Sequence, residues 1–256
     1  MKYLKLYEDF SQNSPIGIID SGYGGVAILK ALRSNFPQYD YIFLGVSPNK
    51  TLSKLDFSES KVLVERGLQY LTNLECQTQL VACNTACALI DNFPNNTINL
   101  IKETTNYING LDYNNLGVLA TPVTINSGIY QNELSNVVSH SCDNWASLVE
   151  EMRFNTPEGI EIIKSDLNQL FNQADIDTIL LACTHYILLK PIIESLYPNV
   201  NIISQDDVMV NYFSSHQITS SNERSCRWLT CGSSSEFDTE VKQLFGITTK
   251  SEQVIL

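Results

Sequence analysis

Two short phrases carry the residues best suited to chemistry. Residues 80–86 read LVACNTA and residues 180–186 read LLACTHY, which sets Cys83 and Cys183 one hundred positions apart in matching surroundings. In each, an apolar run stops at Ala-Cys and a small polar cluster follows. A run that ends this way reads as a buried parallel strand presenting its carboxyl end, the end at which open α/β sheets bind ligands. A thiol at the start of the following helix gains from the helix dipole, which favours its thiolate. One such thiol suggests a nucleophile, and His185, two residues from Cys183, keeps a Cys-His hydrolase open. Two of them at equivalent positions suggest another reaction. A planar carbanion held between them loses a proton to one thiol and gains one from the other, inverting a carbon centre without a cofactor. Each thiol then needs a proton-handling neighbour close to it. Asp20, at the end of the first apolar run, is placed to serve Cys83. His185 and Glu150 are placed to serve Cys183. Donors must also offset the charge that builds on the substrate carboxylate as the proton leaves.

The elements that must position these groups alternate regularly. Residues 16–20 (IGIID) read as a strand, SGYGG as a glycine-rich turn, and 26–35 as a helix with Val26, Leu29 and Leu32 on one face. The turn lacks the spacing of a nucleotide-binding loop. Strands are expected at 41–45, 79–82, 98–101, 116–120, 136–140, 178–182, 200–203 and 227–230. Helices are expected at 57–71, from Thr85 as N-cap, from Thr121-Pro122, at 145–152, at 156–173, from Tyr186 with a kink or stop at Pro191, and at 237–245. Such alternation predicts parallel sheets flanked by helices. Breaks near 107–113 and 217–226 divide the chain into halves, with the last segment returning to the first. The expected domains are 1–107 plus 216–256, and 108–215.

Bulk properties narrow the classes. The 256 residues are 43% apolar and 17% charged, enough for one or two packed α/β cores. A net charge of −12 and a pI near 4.6 give no basic face for nucleic acid. Seven cysteines with no Cys-x-x-Cys pair argue against a disulfide framework or a zinc set. Residues 1–15 read as an extension without signal-peptide character, and no run is long enough to span a membrane. A reducing cytoplasm is the expected compartment.

The segments IGIIDSGYGG, VACNTA, LATPVTINSGIY, LVEE and LACTHY stand in the order found in cofactor-independent glutamate racemases. The ending RWLTCGSSSEF is also similar to that family's. The resemblance covers the chain from Ile16 to the terminal helix. It implies two pseudo-symmetric α/β domains with the site in the cleft between them, and Cys83 and Cys183 as the acid/base thiols. It implies that Asp20, His185 and Glu150 assist them. Asp20, Ser21, Asn84, Thr85, Thr121, Thr184 and His185 fall on substrate-contact positions. No metal and no cofactor are implied. The partner is a small acidic amino acid, with a homodimer open, and the family's task is D-glutamate supply for peptidoglycan. The chain departs from the family at Val46-Ser47, where Asp-Thr is usual. It departs again at Thr51-Leu52-Ser53, where Pro-Tyr-Gly is usual, and at Ile187, where proline is usual. The stretch CDNWASLVE lacks the usual two prolines. Aspartate or another acidic amino acid as substrate, and a non-catalytic relative with an altered substrate loop, are the alternatives these departures leave.

Overall fold

The computed structural model describes residues 14–47, 56–90, 92–216, 218 and 224–256. Most of the expected extension, the Thr51-Leu52-Ser53 departure and most of the 217–226 link lie outside the described residues.

Strands of two to five residues, most of them apolar runs, build two parallel sheets. The first holds β1 (Ile16–Asp20), β2 (Tyr41–Gly45), β3 (Thr78–Val81) and β4 (Thr97–Asn99). The second holds β5 (Leu116–Ala120), β6 (Val137–Ser141), β7 (Thr178–Ala182) and β8 (Asn201–Ser204). Then β9 (Cys226–Thr230) and β10 (Glu252–Gln253) return to the first. The orders are β10-β9-β2-β1-β3-β4 and β6-β5-β7-β8. Every pairing is parallel. The four strands β2-β1-β3-β4 and the four strands β6-β5-β7-β8 therefore repeat one order. Strand β3 ends just before Cys83, and its counterpart β7 ends just before Cys183. The sequence duplication is thus also a topological one.

Side chains alternate across the second sheet. Leu116, Val118, Ala120, Leu180 and Ala182 join the apolar cluster that extends from the first sheet. Leu119, Ile179, Leu181 and Cys183 join a separate cluster on the far face with Ile163, Leu167 and Leu170. The helix Gln205–Ser215 packs between the halves through Val208, Met209 and Phe213.

Four local expectations need correction. The strand expected at 98–101 stops at Asn99, whose side chain accepts from Lys102 N at 3.1 Å and starts the helix Leu100–Ile108. The helix Gln205–Ser215 and strand β10 were not expected at all. Pro191 starts a helix, Lys190–Leu196, because its missing N–H costs nothing in a first turn. Before it, Thr184–Leu189 forms a 3₁₀ turn.

Candidate active site

The cap of the helix Asn84–Leu89 is Cys83 itself, not Thr85. The Cys83 Sγ accepts from Ala86 N at 3.5 Å. The equivalent Cys183 precedes the 3₁₀ turn, and its Sγ lies 3.9 Å from His185 Nδ1. Both thiols line one small cavity, together with Ser21, Asn84, Thr85, Thr121, Ala146, Thr184 and His185. The free space there is about 20 Å³, room for about one water. Among the described residues the lining includes no lysine or arginine.

The halves meet here through side chains. Thr184 Oγ1 donates to Asp20 Oδ2 at 3.4 Å. Thr85 and Thr121 hydroxyls stand 3.5 Å apart, and Thr121 Oγ1 lies 3.2 Å from Thr124 Oγ1. Asn84 Nδ2 donates to Gln205 Oε1 at 2.6 Å. The glycine-rich turn makes the approach sterically feasible. A Cβ on Gly24 would sit 2.5 Å from Thr184 Oγ1 and 2.7 Å from the His185 ring. The SGYGG segment therefore serves close contact between the halves.

Asp20 and Glu150 stand one layer behind the lining. Asp20 is fully buried and accepts from Gly22 N at 2.8 Å, so it caps its turn while facing Thr184. Glu150 Oε1 lies 3.4 Å from His185 Nε2, giving a file Cys183–His185–Glu150. Its neighbour Glu151 points outward to Arg153. The two adjacent glutamates thus have separate jobs, one inward and one at the surface.

Burial dominates the electrostatics. It pushes the Asp20 carboxyl up to about 6, against hydrogen bonds from Gly22, Gly25, Thr184 and Ser21 that lower it. Burial pushes the Cys83 thiol up to about 12, with the nearby Asp20 charge adding to the rise. It drives Cys183 well above an ordinary thiol, with Cys83 and Asp20 adding to it. The helix-start expectation of favoured thiolates is therefore reversed in this closed cavity, because desolvation outweighs the N–H groups at each cap.

Several contributors carry no local signal in the sequence. Ala146 lines the cavity. The Tyr23 ring meets His185 edge-on, with centroids 5.9 Å apart. His140 and Trp145 both bond Asp166, at 3.1 and 2.6 Å, and Trp145 stands on Tyr186. That part-buried scaffold fixes the helix Trp145–Glu150, which carries Ala146 and Glu150. The ligand-type atoms of His140, Cys142 and Asp166 fall within 4.8 Å of one another. The hydrogen bonds to both Asp166 oxygens account for that grouping without an ion. Of the departures, Val46-Ser47 keeps its backbone against the site strand, bonding Asp20 O and Ser21 O at 3.0 and 2.8 Å.

No protein-family model matches the chain. A glutamate racemase of a Thermoanaerobacter species is 30% identical over 199 residues, 74% of this chain and 75% of that protein. The chain belongs to the glutamate racemase family. A crystal structure of a glutamate racemase isoform from Bacillus anthracis superimposes with a TM-score of 0.87, at 27% identity, covering 96% of this chain and 98% of that one. A Francisella tularensis glutamate racemase solved with D-glutamate has the same fold, with a TM-score of 0.80 at 24% identity, covering 95% and 98%. Family membership makes this chain a cofactor-independent isomerase of the racemase class. Among the described residues no helix is long and apolar enough to cross a membrane.

Proposed function

We propose that the chain interconverts L- and D-glutamate by proton transfer at the α-carbon between Cys83 and Cys183. The observation that carries this reading is that both thiols line one cavity, each contributed by the matching strand of a different sheet. In the working state one sulfur is a thiolate and the other a thiol. The thiolate takes the α-proton, the carbanion is held flat through its carboxylate, and the opposite thiol returns a proton to the other face. The roles of the two sulfurs are then exchanged. Asp20, behind Cys83, and the His185–Glu150 pair, behind Cys183, reset the protons. Thr85, Thr121, Ser21 and the remaining Nδ2–H of Asn84 supply neutral donors to the two carboxylates, while the Thr184 hydroxyl holds Asp20.

A neutral donor set has a consequence. Against the described lining, the substrate ammonium is the cation that offsets a thiolate and the Asp20 carboxylate. Ionising a thiol near 12 at pH 8 costs about 5 kcal/mol, so substrate entry and ionisation are coupled. Because the cavity holds about one water, glutamate enters only when the halves or their side chains move apart.

The reading carries further proposals. The chain divides into 1–107 plus 216–256 and 108–215, works in the cytoplasm, supplies D-glutamate for peptidoglycan, and pairs as a homodimer. The direct test is incubation of the protein with L-glutamate in deuterated water. The expected result is loss of optical activity together with deuterium at the α-carbon, without added metal or cofactor. Glutamate that keeps both its configuration and its α-proton would overturn the reading. A screen of aspartate and other amino acids in the same assay reads the substrate range.

Gly24→Ala tests the close approach of the halves. The added methyl must displace Thr184 and His185, and a shift near 1 Å at a proton-transfer site costs on the order of 100-fold. The expected loss in kcat/KM is of that size, with an unchanged far-ultraviolet circular dichroism spectrum.

A further inference from the structure

A buried polar cluster behind Cys83 joins four helices from both halves. Asn84 Nδ2 donates to Gln205 Oε1 at 2.6 Å, and Gln205 Nε2 donates back to Asn84 Oδ1 at 3.0 Å. Tyr130 Oη donates to the same Asn84 Oδ1 at 2.6 Å and lies 3.0 Å from Gln205 Nε2. Gln205 Nε2 also lies 3.2 Å from Thr104 Oγ1. Gln205, Tyr130 and Thr104 are completely buried, and Asn84 is 3% exposed. Asn84 and Thr104 belong to helices that follow strands of the first sheet. Tyr130 and Gln205 belong to helices that follow strands of the second.

We propose that Gln205 is a positioning residue for Cys83, acting through Asn84. Asn84 is the residue after the thiol and the first of the helix that Cys83 caps. Its Oδ1 is filled by two donors and one of its two Nδ2 hydrogens is taken, so a single N–H remains for the cavity. The reciprocal amide pair therefore fixes the peptide that sets the direction of the Cys83 Sγ. Because the partner amide stands in the other half, the same pair also fixes how far Cys83 stands from the half bearing Cys183. A buried, satisfied amide network of this kind rigidifies its members, and a break in it is felt by all of them. The sequence offers no sign of the pairing, since Gln205 is 121 residues from Asn84.

This inference rests on the two-thiol reading, and the test separates the two. In Gln205→Met the apolar side chain keeps the volume and removes the amide. The expected kcat/KM falls by roughly 10- to 100-fold, the range for a misplaced reacting group. The decisive readout is the primary deuterium isotope effect on kcat/KM, measured with α-deuterated L- and D-glutamate. Misplacing Cys83 slows only the transfer at that thiol. The effect should grow for the enantiomer that Cys83 deprotonates and shrink for the one that Cys183 deprotonates. A general loss of folded protein lowers both rates and moves neither isotope effect. If Gln205→Met does not fold, Tyr130→Phe removes one donor to Asn84 and should shift the two effects in the same opposed way, more weakly. Folded variants with both isotope effects at wild-type values would overturn the assignment while leaving the racemase reading intact. Absence of turnover in the wild-type protein would instead remove the reading itself.

Discussion

Replacing Cys83 with alanine is expected to lower glutamate racemisation on the order of 10³-fold or more, and replacing Cys183 to do the same. The two sulfurs act as one unit, because every turnover in either direction uses both. The double variant should therefore be no slower than either single one. A hydrolase built on Cys183 and His185 would behave differently, since loss of Cys83 would leave it working. Cys226→Ala is the matched control: that thiol lies in β9, half-buried and outside the cavity, and its variant should keep the wild-type rate. The measurement is circular dichroism of glutamate with time, starting from each enantiomer. Substantial turnover in either single alanine variant would remove the two-thiol mechanism.

Asp20→Asn should separate activity from stability. Burial holds the folded-state carboxyl near 6, against 3.8 for an ordinary exposed aspartate. A raised pKa means that the folded state binds the proton more tightly than the unfolded chain does. The associated stability is fully present below about pH 4 and is lost as pH rises through about 6. That rise corresponds to about 3 kcal/mol across the window. The asparagine variant carries no charge to bury, so its stability should lack that decline. Its amide also loses part of the bonding to Gly22, Gly25 and Thr184, which takes back some of the gain at neutral pH. The expected outcome is a flatter profile of unfolding free energy against pH from 4 to 7, read by urea titration. Racemisation should fall on the order of 100-fold at pH 8, because the anion beside Cys83 is gone. A wild-type and a variant profile that run parallel would show that the Asp20 carboxyl is not a buried ionisable group in solution.

Much of the scaffold could be read from the chain because its strands are buried on both faces. TILLA at 178–182 is an apolar run with sharp polar ends, and the strand occupies those residues. The Thr121-Pro122 start was legible because proline's missing N–H is tolerated there and little else places that pair. The stretch QDDVMVNYFSS gave no such sign, since its apolar residues are few and interrupted, and its helix depends on contacts with both halves. The extension of a strand to 101 failed because Asn99 captures Lys102 N, a local bond that wins over a short apolar run. At the site, residue types and spacing pointed to the thiols. The orientation of Glu150 rather than Glu151 toward His185 depended on how one short helix is seated. The direction of the thiol pKa shifts depended on how completely the cavity closes, which no local pattern records.

The shared strand order of the two sheets bears on kinetics as well as ancestry. Enantiomers in water have equal free energy, so the forward and reverse values of kcat/KM must be identical whatever the protein does. Only kcat and KM taken singly are free to differ between the two directions, because the complexes of a chiral protein with the two hands are diastereomers. Here the copies differ behind the sulfurs: a lone carboxyl on one side, an imidazole with its own carboxyl on the other. That difference can surface only as paired changes, a faster turnover in one direction bought with a proportionally weaker apparent affinity for that hand. The ratio of the two KM values, equal to the ratio of the two kcat values, therefore reads how unequally the site treats the two hands.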